Sequence, residues 1–126
     1  MNLSLIVCPV DFSSSGEAAL RRALTLAQWH EAELHVVHVR PGRARRSALT
    51  ASIDASFGQL LEFISSLNPR GVAVTPVVLR GDPITAVAEC ARGKSADLVV
   101  VGQNAGHGNL FWRSGVLASN IARAVA

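Results

Sequence analysis

The sequence predicts an α/β fold: a doubly wound, Rossmann-like parallel sheet of four strands with helices on both faces. Three observations carry that expectation. Short apolar runs alternate along the chain with longer stretches of helical periodicity, the pattern of strands joined by crossover helices. Each helical stretch has its apolar residues on one side only, as a helix lying on a sheet requires. The runs at 3–10 and 98–101 are apolar almost throughout, which suits strands covered on both faces.

Taken in order, residues 3–10 form the first strand, ending at Asp11. Ser14 and Glu17 then have the spacing of a capping box, in which a hydroxyl and a carboxylate satisfy the open amides of a helix start. In that helix Leu20, Ala23, Leu24 and Ala27 build one apolar stripe. Residues 34–39 are the second strand, and Pro41, Gly42 and neighbouring arginines form an exposed connection. A second helix opens near Ser47, with Ile53, Phe57, Leu60, Leu61 and Ile64 as its core face and Asn68, Pro69 and Gly71 as its stop. The third strand, 72–79, contains Pro76, which cannot donate to a ladder and so places this strand at a sheet edge. Asp82 caps a third helix with Pro83 at its first position, and Ile84, Val87, Ala88 and Ala91 form its stripe. The fourth strand, 98–101, leads into a glycine-rich stretch, 102–108, and a last helix from about Arg113.

With 126 residues, 49% of them hydrophobic, the chain is long enough for one core and too short for two, so 1–126 reads as one domain. No apolar run reaches the roughly 20 residues of a membrane helix, and the N-terminus lacks the basic start of a secretory signal. A cytoplasmic protein without membrane partners is expected. The net charge of +3 includes a cluster, Arg40, Arg43, Arg45 and Arg46, read as a solvated loop. Aromatic residues make up 5% of the chain and tyrosine is absent, which leaves little with which to stack bases; no nucleic-acid partner is expected. Cys8 and Cys90 stand apart and read as spectators. His35 and His38, three apart in a strand, point to opposite faces, and no metal ligand set emerges.

In an open α/β sheet, ligands bind beyond the carboxyl ends of strands where the strand order reverses. Asp11 and Gly102 occupy such ends. Asp11 is placed to accept a hydrogen bond from a base amine or a ribose, and the loop after strand four to bring backbone amides to a phosphate. An aspartate after a strand also serves as a turn former, and glycines as conformational relief. The cluster Gly102, Gly106, Gly108 and Gly115 matches neither the P-loop nor the dinucleotide fingerprint.

Three segments together resemble the universal stress protein family over essentially the whole chain: residues 6–13 (Ile-Val-Cys-Pro-Val-Asp-Phe-Ser), the strand at 34–39, and 81–102, from Gly81-Asp82-Pro83 to Ala96-Asp97-Leu98-Val99-Val100-Val101-Gly102. The resemblance implies a stress-response regulatory module, commonly dimeric, with one subclass that binds ATP and another that does not. Few members turn over a substrate, and no enzymatic activity is expected. In the ATP-binding subclass the adenine end maps onto Pro9, Val10 and Asp11, with Val39 closing strand two. Over the whole cleft the expected contacts add Val101, Gly102, Asn104, Gly106, Gly115 and Val116.

The phosphate signature of that subclass is met in part. Counted from Gly102, its second glycine position holds Ala105, its third holds Gly115 and its hydroxyl position holds Val116. Gly106, one residue later, could replace the second glycine, but nothing replaces the hydroxyl. One lost hydrogen bond to a charged group costs about 1.5–3 kcal/mol, roughly ten- to a hundredfold in affinity. Leu110, Phe111 and Trp112 add bulk to the same loop and read as packing residues. The family pattern continues into a fifth strand that commonly forms the dimer contact; no segment here supplies it, as in a shortened chain or the first half of a tandem protein. Three functions stay open: an adenine-nucleotide-responsive module, a nucleotide-free dimeric scaffold, and a hydrolase using Asp11, one of Ser13 to Ser15 and a histidine, for which no nucleophile elbow is present.

Overall fold

The computed structural model describes residues 3–40 and 46–102, giving the backbone alone for 46–54. Its elements alternate as the periodicity requires: β1 (Leu5–Pro9), α1 (Ser14–His30), β2 (Glu33–Arg40), α2 (Arg46–Ser65), β3 (Val74–Arg80), α3 (Pro83–Gly93) and β4 (Leu98–Val99). The strands form one parallel sheet in the order β3-β2-β1-β4. The first two crossovers move the chain one way along the sheet and the third returns it past β1. Right-handed crossovers then place α1 and α2 on one face and α3 on the other.

Two cores follow. Ile6, Cys8, Val10, Leu34 and Val36 pack with Leu20, Ala23 and Ala27 of α1 and Leu60 and Ile64 of α2. On the opposite face Val7, Val37 and Val39 pack with Val87 and Ala88 of α3. Ile6, Val7 and Cys8 alternate between these cores and are fully buried, which is why β1 reads as uninterrupted apolar sequence. Burial pushes the Cys8 thiol up to about 12, so it stays protonated and behaves as a small hydrophobe.

Element boundaries moved at several places; β2 spans 33–40 rather than 34–39. The ladder of β1 covers 5–9 rather than 3–10, although Leu3 and Val10 are still buried. β3 runs 74–80 rather than 72–79, because Ala73 already sends its carbonyl to the Leu34 amide and Gly81 donates to Arg40 at the far end. β4 pairs over 98–99 rather than 98–101. Leu5 and Val7 of β1 accept amides from the β4 side; Pro9, next in that parity, has no N–H with which to extend the ladder.

The expected capping box is corrected as well. Ser13, not Ser14, is the N-cap of α1: its backbone is extended and its Oγ accepts from the Gly16 amide at 3.1 Å. Glu17 instead lies 3.6 Å from Arg21, one turn on along the exposed side of the helix. Asp82 caps α3 as expected, accepting from the Thr85 amide at 3.0 Å with Pro83 at the first position.

In α2 the stripe is rotated from the expected one. Ser56, Leu60 and Ile64 are buried, as is Leu67 just past the helix end, whereas Phe57 and Leu61 are 40% and 43% exposed. At about 100° per residue, positions 57, 60, 61 and 64 span roughly 100°, and Phe63 widens the apolar arc to roughly 160°, more than one sheet face covers. Phe63, absent from the expected stripe, packs against that core in their place. The glycine-rich stretch from 103 onward, the helix from Arg113, residues 110–112, and Arg43 and Arg45 lie outside the described residues.

The ladder also explains Pro76. Leu34 donates to Ala73 and Gly81 donates to Arg40, both at 2.9 Å, and Leu34 and Val36 register with Val74 and Pro76. In a parallel ladder this parity turns the main-chain groups of Thr75, Val77 and Leu79 toward β2, and those of Val74, Pro76 and Val78 away from it. Proline therefore occupies a position where the sheet needs no donor, on the edge strand its presence predicted.

Candidate functional site

β1 lies between β2 and β4, so the strand order reverses across the carboxyl ends of β1 and β4, where an open α/β sheet offers its crevice. Asp11 leaves β1 there and Gly102 follows β4 at the same end. The first turn of α1 brings these two residues close together. A Cβ built on Gly102 would stand 2.6 Å from the Ser15 carbonyl oxygen, and one built on Gly16 would stand 3.0 Å from Asp11 Oδ1. Gly102 is needed for this approach because the atoms it would strike are backbone, whereas Gly16 gives the Asp11 carboxylate room beside the helix start.

Asp11 is half-buried and held by local bonds. Its Oδ1 accepts from the Ser13 amide at 3.1 Å and from the Ser13 hydroxyl, and Ser13 Oγ lies 3.1 Å from Ser15 Oγ. Among the described residues Oδ2 has no partner. The result is an oriented carboxylate whose second oxygen is available to an amine or hydroxyl donor, with two serine hydroxyls beside it at a helix N-terminus.

Between Asp11 and Ser13 the chain turns through Phe12 at φ +65°, a left-handed conformation costing a non-glycine residue about 1–2 kcal/mol. Its ring is held by His38 at 4.4 Å and, edge-on, by Phe63 at 5.5 Å; each aromatic contact offsets about 0.5–1.5 kcal/mol. His38 Nδ1 donates to the Val10 carbonyl at 3.0 Å, which assigns the proton to that nitrogen. His35 lies on the other face, bonded to Lys94 at 2.9 Å, so the expected divergence of the two histidines is met. Ser13 is bonded directly to Asp11, without an intervening histidine.

The remaining expected contacts fall differently. Pro9 and Val10 are core residues, the Val10 amide donates to Val37 at 2.8 Å and its carbonyl accepts from His38, so Val10 supports the site from behind. Val39 is 8% exposed and packs with Val37 and Val87 toward α3. Val101 is half-buried on that same side. With Gly102, Ser15 and Arg22 it lines a hollow of about 310 Å³ beside α1. Asn104, Gly106, Gly115 and Val116, the expected phosphate end, lie outside the described residues. Sequence reasoning missed Phe12, Ser13 and His38 as the residues that set the Asp11 carboxylate; the Asp-x-Ser spacing was the available signal for Ser13. Among the described residues no three histidine, cysteine, aspartate or glutamate side chains gather as a metal site, and no helix is long and apolar enough to cross a membrane.

The fold and this crevice define a doubly wound α/β domain with an oriented carboxylate at its switch point. The family model described as the universal stress protein family matches residues 4–126, and the chain belongs to that family. A universal stress protein family structure from Burkholderia pseudomallei is similar at 27% identity, covering 80% of this chain and 82% of its own, with a TM-score of 0.67. A universal stress protein in complex with cAMP is similar at 23% identity over 98% and 91% of the two chains, TM-score 0.68. One from Archaeoglobus fulgidus in complex with dAMP is similar at 22% identity over 99% and 90%, TM-score 0.62. A comparison with curated proteins found no match.

Proposed function

We propose that this chain is a stress-response regulatory module that works by binding an adenine nucleotide in the crevice between the ends of β1 and β4, without turnover. The observation that carries the reading is the Asp11 carboxylate, held by Ser13 at the switch point with Oδ2 unengaged among the described residues. An adenine amine or a ribose hydroxyl is the donor it suits. The residues at this end fit the ligand: the carboxylate is oriented before binding, which lowers the cost of ordering it. That two structural neighbours hold cAMP and dAMP supports an adenine nucleotide as the ligand class.

A second reading, a nucleotide-free scaffold, is favoured by Ala105 and Val116, which depart from the family's phosphate signature. AMP and cAMP depend less on the phosphate end than ATP does, so the first reading expects them to bind at least as well as ATP. Isothermal titration with AMP, cAMP and ATP tests both. Binding that disappears in Asp11→Ala supports the nucleotide module. Absence of heat and of thermal stabilisation at millimolar ligand supports the scaffold.

A further inference from the structure

We propose that the free edge of β3 is a docking site for an extended segment of a partner protein in which apolar and acidic residues alternate. Val74 and Val78 turn their amides away from β2, by the ladder parity that the Leu34 to Ala73 and Gly81 to Arg40 bonds establish. Among the described residues no strand pairs on that side. An added strand needs main-chain partners along the edge and apolar contacts on both faces, because its side chains alternate.

Both faces supply them. On the α3 side a groove of about 360 Å³ runs along the edge over Val77, Leu79, Ala86 and Cys90. On the α2 side Phe63 packs on Phe12, toward the centre of the sheet. Phe57 and Leu61 lie about 120° and about 160° around α2 from Phe63, on the flank toward β3 rather than toward Phe12, and are exposed.

Charge selects the occupant. Among the described residues that border the groove, Arg80 and Lys94 stand with one acid, Glu89, and the chain carries a net charge of +3, so a second copy meets like charge whereas an acidic segment meets the opposite one. Pro76 acts in the same direction. It removes one donor from a partner strand, but two copies paired through this edge would each bring the gap, and edge prolines oppose such self-pairing.

The probe is a fluorescein-labelled eight-residue peptide alternating valine and glutamate, followed by anisotropy and by hydrogen exchange of the full chain. Saturable binding and slowed exchange of the Val78 amide are expected. Affinity should fall at least about tenfold when alternate peptide amides are N-methylated, which removes strand pairing without altering the protein. A similar fall is expected in Phe57→Ser/Leu61→Ser, whose exposed positions leave the fold intact, and no change in Trp29→Ser. The proposal is overturned by no binding at millimolar peptide or by equal binding of the N-methylated peptide. Equal binding of a valine-lysine peptide, or concentration-dependent self-association that protects Val78 without peptide, overturns it as well.

Discussion

Gly102 and Ser15 are packed so closely that a methyl group on the glycine would stand 2.6 Å from the serine carbonyl oxygen and 2.9 Å from its carbon. Backbone cannot rotate aside as a side chain can. Gly102→Ala should therefore destabilise the fold by about 1–3 kcal/mol, the cost of overpacking a close contact, measured by urea unfolding. Gly58, in α2 with nothing within 4 Å of its Cβ position, is the control. Gly58→Ala should stabilise by roughly 0.5–1 kcal/mol through helix propensity.

Neighbouring leucines in α2 should differ sharply. Leu60 is fully buried and Leu61 is 43% exposed. Leu60→Ala is expected to cost about 2–5 kcal/mol, and Leu61→Ala to stay within about 0.5 kcal/mol. Equal losses would return the helix to the stripe expected from sequence.

Ser13 serves the helix and the site together, accepting from Gly16 while donating to Asp11. Ser13→Ala should lose about 0.5–2 kcal/mol of stability as a lost N-cap. It should also weaken AMP binding in the titration above, because Asp11 loses the hydroxyl donor that helps orient it and keeps only the backbone amide. Ser14→Ala, one residue along and exposed, should do neither.

Acid should weaken the fold through two groups. Amides of Ser4 and Leu5 hold the Asp97 carboxyl below its ordinary value of 3.8. Its contribution is present above 3.8 and lost as pH falls through the lower folded value. Burial, then the Lys94 charge, lowers His35 below its ordinary 6.5, against the opposing pull of Glu33. The folded state therefore binds the His35 proton less readily than the unfolded chain, and stability declines as pH falls below 6.5. Urea midpoints between pH 8 and pH 3 should show both declines, as expected from these two values. Asp97→Asn should remove the acidic one, and His35→Gln should flatten the one that begins near neutrality.

Proline should be tolerated in β3 by alternation. Pro76→Val leaves every bond to β2 in place and should be close to neutral. Val77→Pro removes an amide directed at β2 and should cost about 1–3 kcal/mol. Thermal unfolding of the two variants checks the ladder parity on which the free edge depends.

Much of this architecture was legible in advance because it rests on short-range patterning. Runs such as Ile6-Val7-Cys8 have no polar side to expose, Pro76 announces an edge, and Asp82-Pro83 announces a helix start. The α2 face was not legible, because apolar residues at 57, 60, 61 and 64 allow more than one rotation of the helix and only the sheet decides which is covered. At the site, Asp11 and Gly102 were legible as strand ends. The roles of Phe12 and His38 were not, since they meet through a left-handed turn and a contact across 26 residues that no local pattern encodes.

The sequence by itself determined that this chain makes four parallel strands under helices, because hydrophobic periodicity is a local property of the chain, and its segments 6–13, 34–39 and 81–102 carried the resemblance to the universal stress protein family. Tertiary structure alone decided that Gly102 must lack a side chain to admit α1, that Ser13 rather than Ser14 caps that helix beneath Asp11, and that Val78 faces outward on β3. Those are consequences of which backbones touch, and contact between distant backbones is settled by packing and ladder parity across the whole sheet.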